Sequence, residues 1–226
     1  MPAVFMAILL ASQAKKFQTL LEQPQDSEKA SNTAETIKEW GPFSKLNIVL
    51  FIRSIIYYAL NTFIPLYWIH ILLQSKVMGG TALTIFCITA AVGTLSGGWL
   101  ADRFGNLRII QISFAVLLPL LLAFSAVRNI YAATLLLIPI GILLAVPFSP
   151  MVVLGQKYLP GKVGLSSGIT LGLGVSMGGI LAPVLGWLAD KHGLASTIHV
   201  VAFLPIIAVV MAFTLTMPLC DRATIK

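Results

Sequence analysis

Charged side chains are rare in this apolar chain, and three of the places where they occur could do chemistry. Of 226 residues, 58% are hydrophobic and 10% are charged. Arg53 lies inside an apolar run, whereas the pairs Asp102-Arg103 and Asp190-Lys191 each end one. A guanidinium in such a run must face protein or a wet cavity, where it can bind an anion. An aspartate beside a basic side chain can form an ion pair with it, or accept hydrogen bonds from the backbone N–H groups at the start of a neighbouring helix.

The two aspartate–base pairs belong to an internal repeat. Two octapeptides lie 88 positions apart, and six of their eight residues are identical. They are Gly98-Trp99-Leu100-Ala101-Asp102-Arg103-Phe104-Gly105 and Gly186-Trp187-Leu188-Ala189-Asp190-Lys191-His192-Gly193. Three membrane helices fill such an interval. Because three is odd, the two copies must reach opposite faces of a bilayer, which makes an inverted repeat typical of transporters.

Six apolar stretches are long enough to cross the roughly 30 Å hydrocarbon core of a bilayer. They cover about 46–69, 79–100, 108–127, 130–154, 163–189 and 198–218. Continuous runs of this length indicate helices, because the strands of a membrane barrel are about 10 residues long and alternate with polar positions. The predicted fold class is therefore an all-α, polytopic membrane protein with six transmembrane helices in a 3+3 inverted repeat.

The segments outside the spans are assigned by composition and charge. Residues 1–14 are interpreted as the remnant of a preceding transmembrane helix, 15–45 as a polar cytoplasmic connector and 219–226 as a cytoplasmic tail. With the connector inside, eleven Lys and Arg residues lie on the cytoplasmic face against three on the other. Both chain ends are then predicted to be cytoplasmic. The net charge of +7 therefore reflects membrane orientation rather than nucleic-acid binding.

The first octapeptide and its continuation resemble the signature loop of the major facilitator superfamily. That motif reads Gly, two or three residues, Asp, a base, any residue, Gly and then further bases; Gly98, Asp102, Arg103 and Gly105 match it. Asn106 and Leu107 stand where the motif has basic residues, and the first basic residue after Gly105 is Arg108.

Other stretches resemble, more closely, the C-terminal half of the fosmidomycin-resistance type of bacterial efflux transporter. They are the Gly-rich fifth span, the Pro-rich fourth span, and the segment 155–161 with the following Ser166-Ser167-Gly168. The resemblance covers about residues 40–218. It implies one half of a twelve-helix carrier in a bacterial inner (plasma) membrane.

This resemblance implies roles for the candidate residues. In the family the first and fourth helices of each half line the cavity, so Arg53, Tyr57 and Asn61, with Tyr58 beside them, are candidates for substrate contact. The alternative for Arg53 is snorkelling toward the interface. The signature loop would be a conformational latch, made in one state and broken in the other, built from Gly98, Asp102, Arg103, Gly105 and Arg108. Its inverted-repeat copy would use Gly186, Asp190, Lys191 and Gly193. The alternative is a tight loop that only obeys the charge bias.

Glycines and prolines indicate how two spans pack. Gly164, Gly168 and Gly172 recur at intervals of four in the fifth span, followed by Gly178, and such a smooth face lets another helix lie close. Sliding along that face during transport is the alternative. Pro139, Pro147 and Pro150 predict a bend in the fourth span, serving either gating or static packing.

The predicted function is proton-coupled efflux of a small antibiotic, fosmidomycin-like and anionic or amphipathic, as the resemblance implies. No Asp or Glu lies inside the predicted spans, so the proton carrier would belong to a separate N-terminal six-helix half. The chain would pair in the bilayer with that half or with a second copy of itself. The alternatives are export of a sugar or other metabolite, and a non-transporting fragment or assembly subunit.

An enzyme is not predicted, because the spans hold no paired aspartates, metal-binding histidines or Ser/His pair. Cys87 and Cys220 lack a metal partner at useful spacing, so neither a metal nor a cofactor is expected.

Overall fold

A computed structural model describes residues 40–160 and 162–215. Six helices in this part of the chain are long and apolar enough to cross a membrane. They are α1 (Trp40–His70), α2 (Lys76–Phe104), α3 (Asn106–Ala126), α4 (Ile130–Tyr158), α5 (Val163–His192) and α6 (Leu194–Phe213). The predicted all-α fold with six spans is confirmed. The predicted segments 1–14 and 219–226, and most of the connector 15–45, lie outside the described residues.

The helix ends differ from the predicted spans, because hydropathy marks the apolar middle of a helix and omits its polar ends. α1 begins at Trp40, so residues 40–45 are helical rather than part of the connector. Phe43 is buried there, and burial of its side chain favours the earlier start. α2 likewise continues through Asp102 and Arg103 to Phe104.

Short turns with identifiable chemistry join the helices. The Ser75 hydroxyl accepts a hydrogen bond from the Met78 N–H at 3.3 Å, and the Asn129 side chain accepts one from the Tyr131 N–H at 3.0 Å. Both are side-chain caps at helix starts. Gly105 and Gly193 lie at φ of +89° and +86°, which other residues rarely adopt, and each ends one helix and begins the next.

Two helices are irregular. α4 consists of segments Ile130–Ala145 and Phe148–Tyr158, separated at Val146 and Pro147. Proline lacks an N–H and its ring clashes with the preceding turn, so the break lies at one of the prolines for which a bend was predicted. α5 consists of Val163–Ser167, a π-helical turn at Gly168–Leu173, and Gly174–His192.

Helices α1 and α4 are the two most buried of the six. α1 packs against α2, α4, α5 and α6, α4 packs against α1, α2, α3 and α5, and α3 packs against α4 and α6. Successive helices contact one another and are joined by short turns, so they alternate in direction. The C-terminal ends of α2 and α5 therefore lie at opposite ends of the bundle, which we call the Asp102 end and the Asp190 end.

Candidate functional site

A cleft of about 310 Å³ lies between four helices, at the middle depth of the bundle. Its lining combines hydroxyl, aromatic and small side chains with one cation, Arg53. The described lining residues are Leu50, Arg53, Ser54, Tyr57 and Tyr58 from α1, Cys87, Ala90, Ala91 and Thr94 from α2, Ala145 and Phe148 from α4, and Thr170 and Gly174 from α5.

Arg53 is held inside the protein, near the middle of α1. The residue is only 7% exposed, and its Nε–H donates to the carbonyl oxygen of Leu144 in α4 at 2.8 Å. Its guanidinium carbon lies 4.7 Å from the centroid of the Phe148 ring and 5.8 Å from that of Tyr57. Both separations fall within the range of cation–π attraction. These contacts orient the side chain across the cleft toward α4.

The break in α4 supplies the acceptor for Arg53. Leu144 lies just before the break, where the regular ladder of i to i+4 hydrogen bonds is interrupted. Backbone carbonyls at such a site need partners from outside the helix, since an unpaired one within a membrane is costly. The Arg53 guanidinium provides one. Nε is the atom of Arg53 that bonds to Leu144, the two terminal nitrogens form no hydrogen bond with the described residues, and the residue borders the cleft.

The other predicted cavity residues lie around Arg53. Tyr57 and Tyr58 line the cleft, whereas Asn61 lies one turn further along α1 and does not. The Asn61 amide donates to the carbonyl of Tyr57 at 2.8 Å, and its oxygen accepts from the thiol of Cys87 at 3.7 Å. Asn61 therefore contacts the cleft lining rather than forming it.

Several lining residues were missed by the sequence analysis because they are ordinary side chains until the helices meet. They come from all four helices, and their polar members are Ser54, Cys87, Thr94 and Thr170. The signal for Phe148 is its place directly after Pro147, since a broken helix at a cavity presents the next side chain to it.

Helices α2 and α4 approach each other closely, backbone to backbone. A Cβ built on Gly93 would lie 2.6 Å from the carbonyl oxygen of Ile142, and one on Gly97 would overlap the carbonyl oxygen of Val146. A Cβ on Gly141 would in turn overlap the Thr89 hydroxyl. The spacing Gly93-x-x-x-Gly97 was the sequence signal for this contact.

The glycines predicted to pack in α5 are placed differently. A Cβ on Gly164, Gly168 or Gly172 would meet no described atom within 4 Å, so these three face away from the bundle. Gly174 and Gly178, four apart, instead face α1, where a Cβ would overlap the side chains of Leu50 and Tyr58. The helix contact thus lies on the face that carries Gly178, because Gly174 is two residues beyond Gly172, and two residues turn a side chain by about 200° around a helix.

The two octapeptides have nearly the same geometry. The N–H of Gly105 donates to Ala101 at 2.8 Å, and that of Gly193 donates to Ala189 at 2.9 Å. The Arg103 guanidinium lies 5.7 Å from the ring of Trp99, and the Lys191 ammonium 5.1 Å from that of Trp187. Each base therefore contacts the tryptophan four residues earlier.

In the described part of the chain, the ion pairs expected of a latch are not formed. Asp102 and Asp190 are both exposed there, and neither pairs with a basic side chain. Arg108 is exposed as well. Gly98 does not make the close backbone approach that was expected of it, since the nearest atom to a Cβ built there is the Ser149 hydroxyl at 3.8 Å. A Cβ built on Gly186 meets no atom within 4 Å. Gly97, one residue earlier, makes that approach instead.

Comparison with known families matches residues 2–172 to the Major Facilitator Superfamily. Three relatives are similar to this chain. An uncharacterized MFS-type transporter, YfnC, of Bacillus subtilis is 36% identical over 70% of this chain and 36% of its own length. A fosmidomycin resistance protein of Escherichia coli is 33% identical over 58% of this chain and 32% of its own. A cis,cis-muconate transport protein of Acinetobacter baylyi is 32% identical over 57% of this chain and 31% of its own.

A solved structure supports the fold. The crystal structure of the MFS transporter FucP in the outward conformation superposes with a TM-score of 0.70 at 16% identity, covering 83% of this chain and 44% of that one. This chain spans about a third of the length of the curated relatives it matches. Their names are those of transport and resistance proteins, in agreement with the prediction that the chain is not an enzyme. They do not single out the fosmidomycin-resistance subfamily.

Proposed function

Because the chain belongs to the Major Facilitator Superfamily, we propose that it forms one cavity-lining half of a membrane transporter that carries a small organic anion by alternating access. The observation that supports this most is Arg53, a buried cation at the middle depth of the bundle, bordering a cleft of about 310 Å³. Small-molecule sites are commonly about 300–1,000 Å³ in volume.

The anion preference follows from the surroundings of Arg53. Placing a guanidinium at the centre of a bilayer costs at least about 2.5 kcal/mol on insertion scales. The Leu144 carbonyl and the Phe148 ring offset part of that cost, but neither carries a formal charge. Among the described lining residues Arg53 has no carboxylate beside it. An anionic substrate group is the remaining partner that would neutralise it.

The names of two relatives agree with an acidic substrate. One is a resistance protein for fosmidomycin, which is a phosphonate, and another is a transport protein for cis,cis-muconate, which is a dicarboxylate. We propose that this chain takes part in efflux of a fosmidomycin-like antibiotic in exchange for protons. The proton-carrying carboxylate would lie outside the described residues, because the six helices place none beside the cleft.

A second six-helix unit would complete the cavity. α2 and α5 carry large apolar side chains that this chain leaves exposed, among them Leu95, Trp99, Ile180 and Trp187. These two helices flank the cleft, so a unit covering them would close it. We propose that the unit is a separate N-terminal half or a second copy of this chain. It would supply the partners of Asp102 and Asp190, in an inner membrane with both ends of this chain cytoplasmic.

Cys87 gives a direct test of anion binding, since its side chain is exposed and borders the cleft. In a Cys220→Ser background, the rate of Cys87 alkylation by uncharged N-ethylmaleimide is measured in membrane vesicles with and without fosmidomycin or cis,cis-muconate. An acid present at about nine times its Kd should slow the reaction about tenfold, because only free protein reacts. An uncharged reagent is chosen so that changing Arg53 does not alter its attraction to the site.

Two variants make this test specific. Arg53→Ala should abolish protection by the acid, whereas Lys45→Ala, which removes an exposed cation from the same helix, should retain it. Protection that persists in Arg53→Ala, or no protection by either acid in the parent chain, would contradict the proposal. Efflux itself is tested by the fosmidomycin tolerance of cells that lack the chain, which should fall.

A further inference from the structure

We propose that Arg53 couples anion binding in the cleft to the bend of α4, because this one side chain of α1 contacts both segments of the broken helix. The inference rests on the proposed function, since it assumes that an anion binds the cleft. It adds a second role for Arg53, as the residue through which occupancy of the cleft changes the shape of α4.

The contacts of Arg53 lie on both sides of the break. Its Nε–H bonds to Leu144, which belongs to the segment Ile130–Ala145. Its guanidinium also packs on Phe148, the first residue of the segment Phe148–Tyr158, at 4.7 Å. Only Val146 and Pro147 separate the two segments. The position of one planar group thus affects the angle between them.

The backbone of α4 does little to fix that angle itself. Pro147 and Pro150 have no N–H, so the carbonyls of Leu143 and Val146 lack their usual donors four residues later. The carbonyl of Leu144, between them, is bonded by Arg53. Three carbonyls around the break are therefore outside the regular helical ladder, and contacts from neighbouring helices must hold the bend.

An anion would act on this arrangement through the rigidity of the guanidinium. Nε is occupied by Leu144, so an oxyanion is left with the terminal nitrogens. The guanidinium is a planar fork, and a shift of its terminal edge toward an anion also moves Nε and the face that packs on Phe148. Binding should therefore change the bend of α4. A lysine has a single compact ammonium and cannot hold the carbonyl, the ring and the anion in this geometry.

The test measures a distance across the break. Spin labels are attached at Leu135→Cys and Val153→Cys, two exposed positions on either side of it, in a chain with Cys87→Ser and Cys220→Ser. A straight helix would separate these Cα atoms by roughly 27 Å, which suits pulsed electron paramagnetic resonance. Adding fosmidomycin or cis,cis-muconate should shift the main distance, with the two populations changing in ratio by at least about fivefold.

Two variants separate coupling from binding. Pro147→Ala restores an N–H at the break, so α4 should straighten and the shift on adding acid should disappear while protection of Cys87 remains. Arg53→Lys should likewise lose the shift, even where the acid still protects Cys87. Pro139→Ala, which changes a proline inside the first segment and away from the break, is the matched control and should keep the shift.

The outcomes distinguish this inference from the proposed function. Protection of Cys87 in the parent chain without any change in the distance would overturn the coupling and leave anion binding intact. A shift of full size in both Arg53→Lys and Pro147→Ala would also overturn it. If neither acid protects Cys87 and neither acid shifts the distance between the spin labels, both proposals are overturned together.

Discussion

The contact of α2 with α4 and the contact of α5 with α1 are equivalent in the inverted repeat, but they are built differently. In the first, Gly93 and Gly97 lie against backbone carbonyls of Ile142 and Val146. In the second, Gly174 and Gly178 lie against the side chains of Leu50 and Tyr58. A carbonyl cannot move without its helix, whereas a side chain can change rotamer. The α2–α4 contact is thus the less adaptable of the two.

The two contacts also occupy non-equivalent positions along their helices. The repeat of 88 residues places Leu181 and Leu185 of α5 where α2 has Gly93 and Gly97. The duplicated sequence has kept its identity at the turns, Gly98–Gly105 and Gly186–Gly193, but not along the helix faces. This difference indicates that the turns have one task in both copies, whereas each helix face fits its own neighbour.

The largest effect is expected from Gly97→Ala, because its Cβ would overlap the Val146 carbonyl and force α2 and α4 apart. Overpacking of this kind costs about 1–3 kcal/mol. Gly98→Ala is the matched control, since its Cβ meets nothing closer than 3.8 Å and both changes have the same intrinsic helix propensity. The free energy of unfolding is measured by SDS titration in mixed micelles. Equal stability of the two variants would show that the close approach is not tight.

The turns should respond equally to a second pair of changes. Gly105→Ala and Gly193→Ala each place a Cβ on a residue whose φ is near +90°, a conformation that residues other than glycine rarely adopt. Each change should lower the free energy of unfolding by about 1–2 kcal/mol. Neither Cβ would meet another atom within 4 Å, so the cost comes from the backbone alone. The same titration measures both. A difference above about 1 kcal/mol would mean that the two turns are not equivalent in stability, contrary to the comparison.

The sequence predicts the features that depend on local composition. Spans follow from hydropathy, the octapeptide repeat gives the inverted arrangement, and Pro147 gives the break in α4. Gly98 shows the limit of such inference. Its place in the motif suggested a close approach, but the helix phase brings Gly97 to α4, and a shift of one residue turns a side chain by about 100°.

The candidate site was predictable in Arg53 and its α1 neighbours Tyr57 and Tyr58, but not in the residues that the other helices contribute. Arg53 stands out because charge inside a span is costly. Its actual partners, Leu144 and Phe148, lie far along the chain, and a backbone carbonyl carries no signature in a sequence. Asn61 was predicted to contact substrate because the family resemblance places this helix at the cavity, but its side chain bonds within α1 and to Cys87.

The smallest effect is expected at the adaptable contact, from Gly178→Ala. Its Cβ would overlap the Tyr58 ring, which can rotate away, and would approach the Ser54 carbonyl to 3.1 Å. The cost in unfolding free energy should stay below about 1 kcal/mol, since the higher helix propensity of alanine offsets part of the strain. Because Tyr58 borders the cleft, its displacement should change the rate at which N-ethylmaleimide reaches Cys87. Gly179→Ala, whose Cβ meets nothing within 4 Å, has the same gain in helix propensity without the strain, so it should not lower the unfolding free energy and should leave the alkylation rate unchanged. A loss as large as that of Gly97→Ala would mean that the α5–α1 contact is as rigid as the α2–α4 contact, and the contrast between the two halves of the repeat would then disappear.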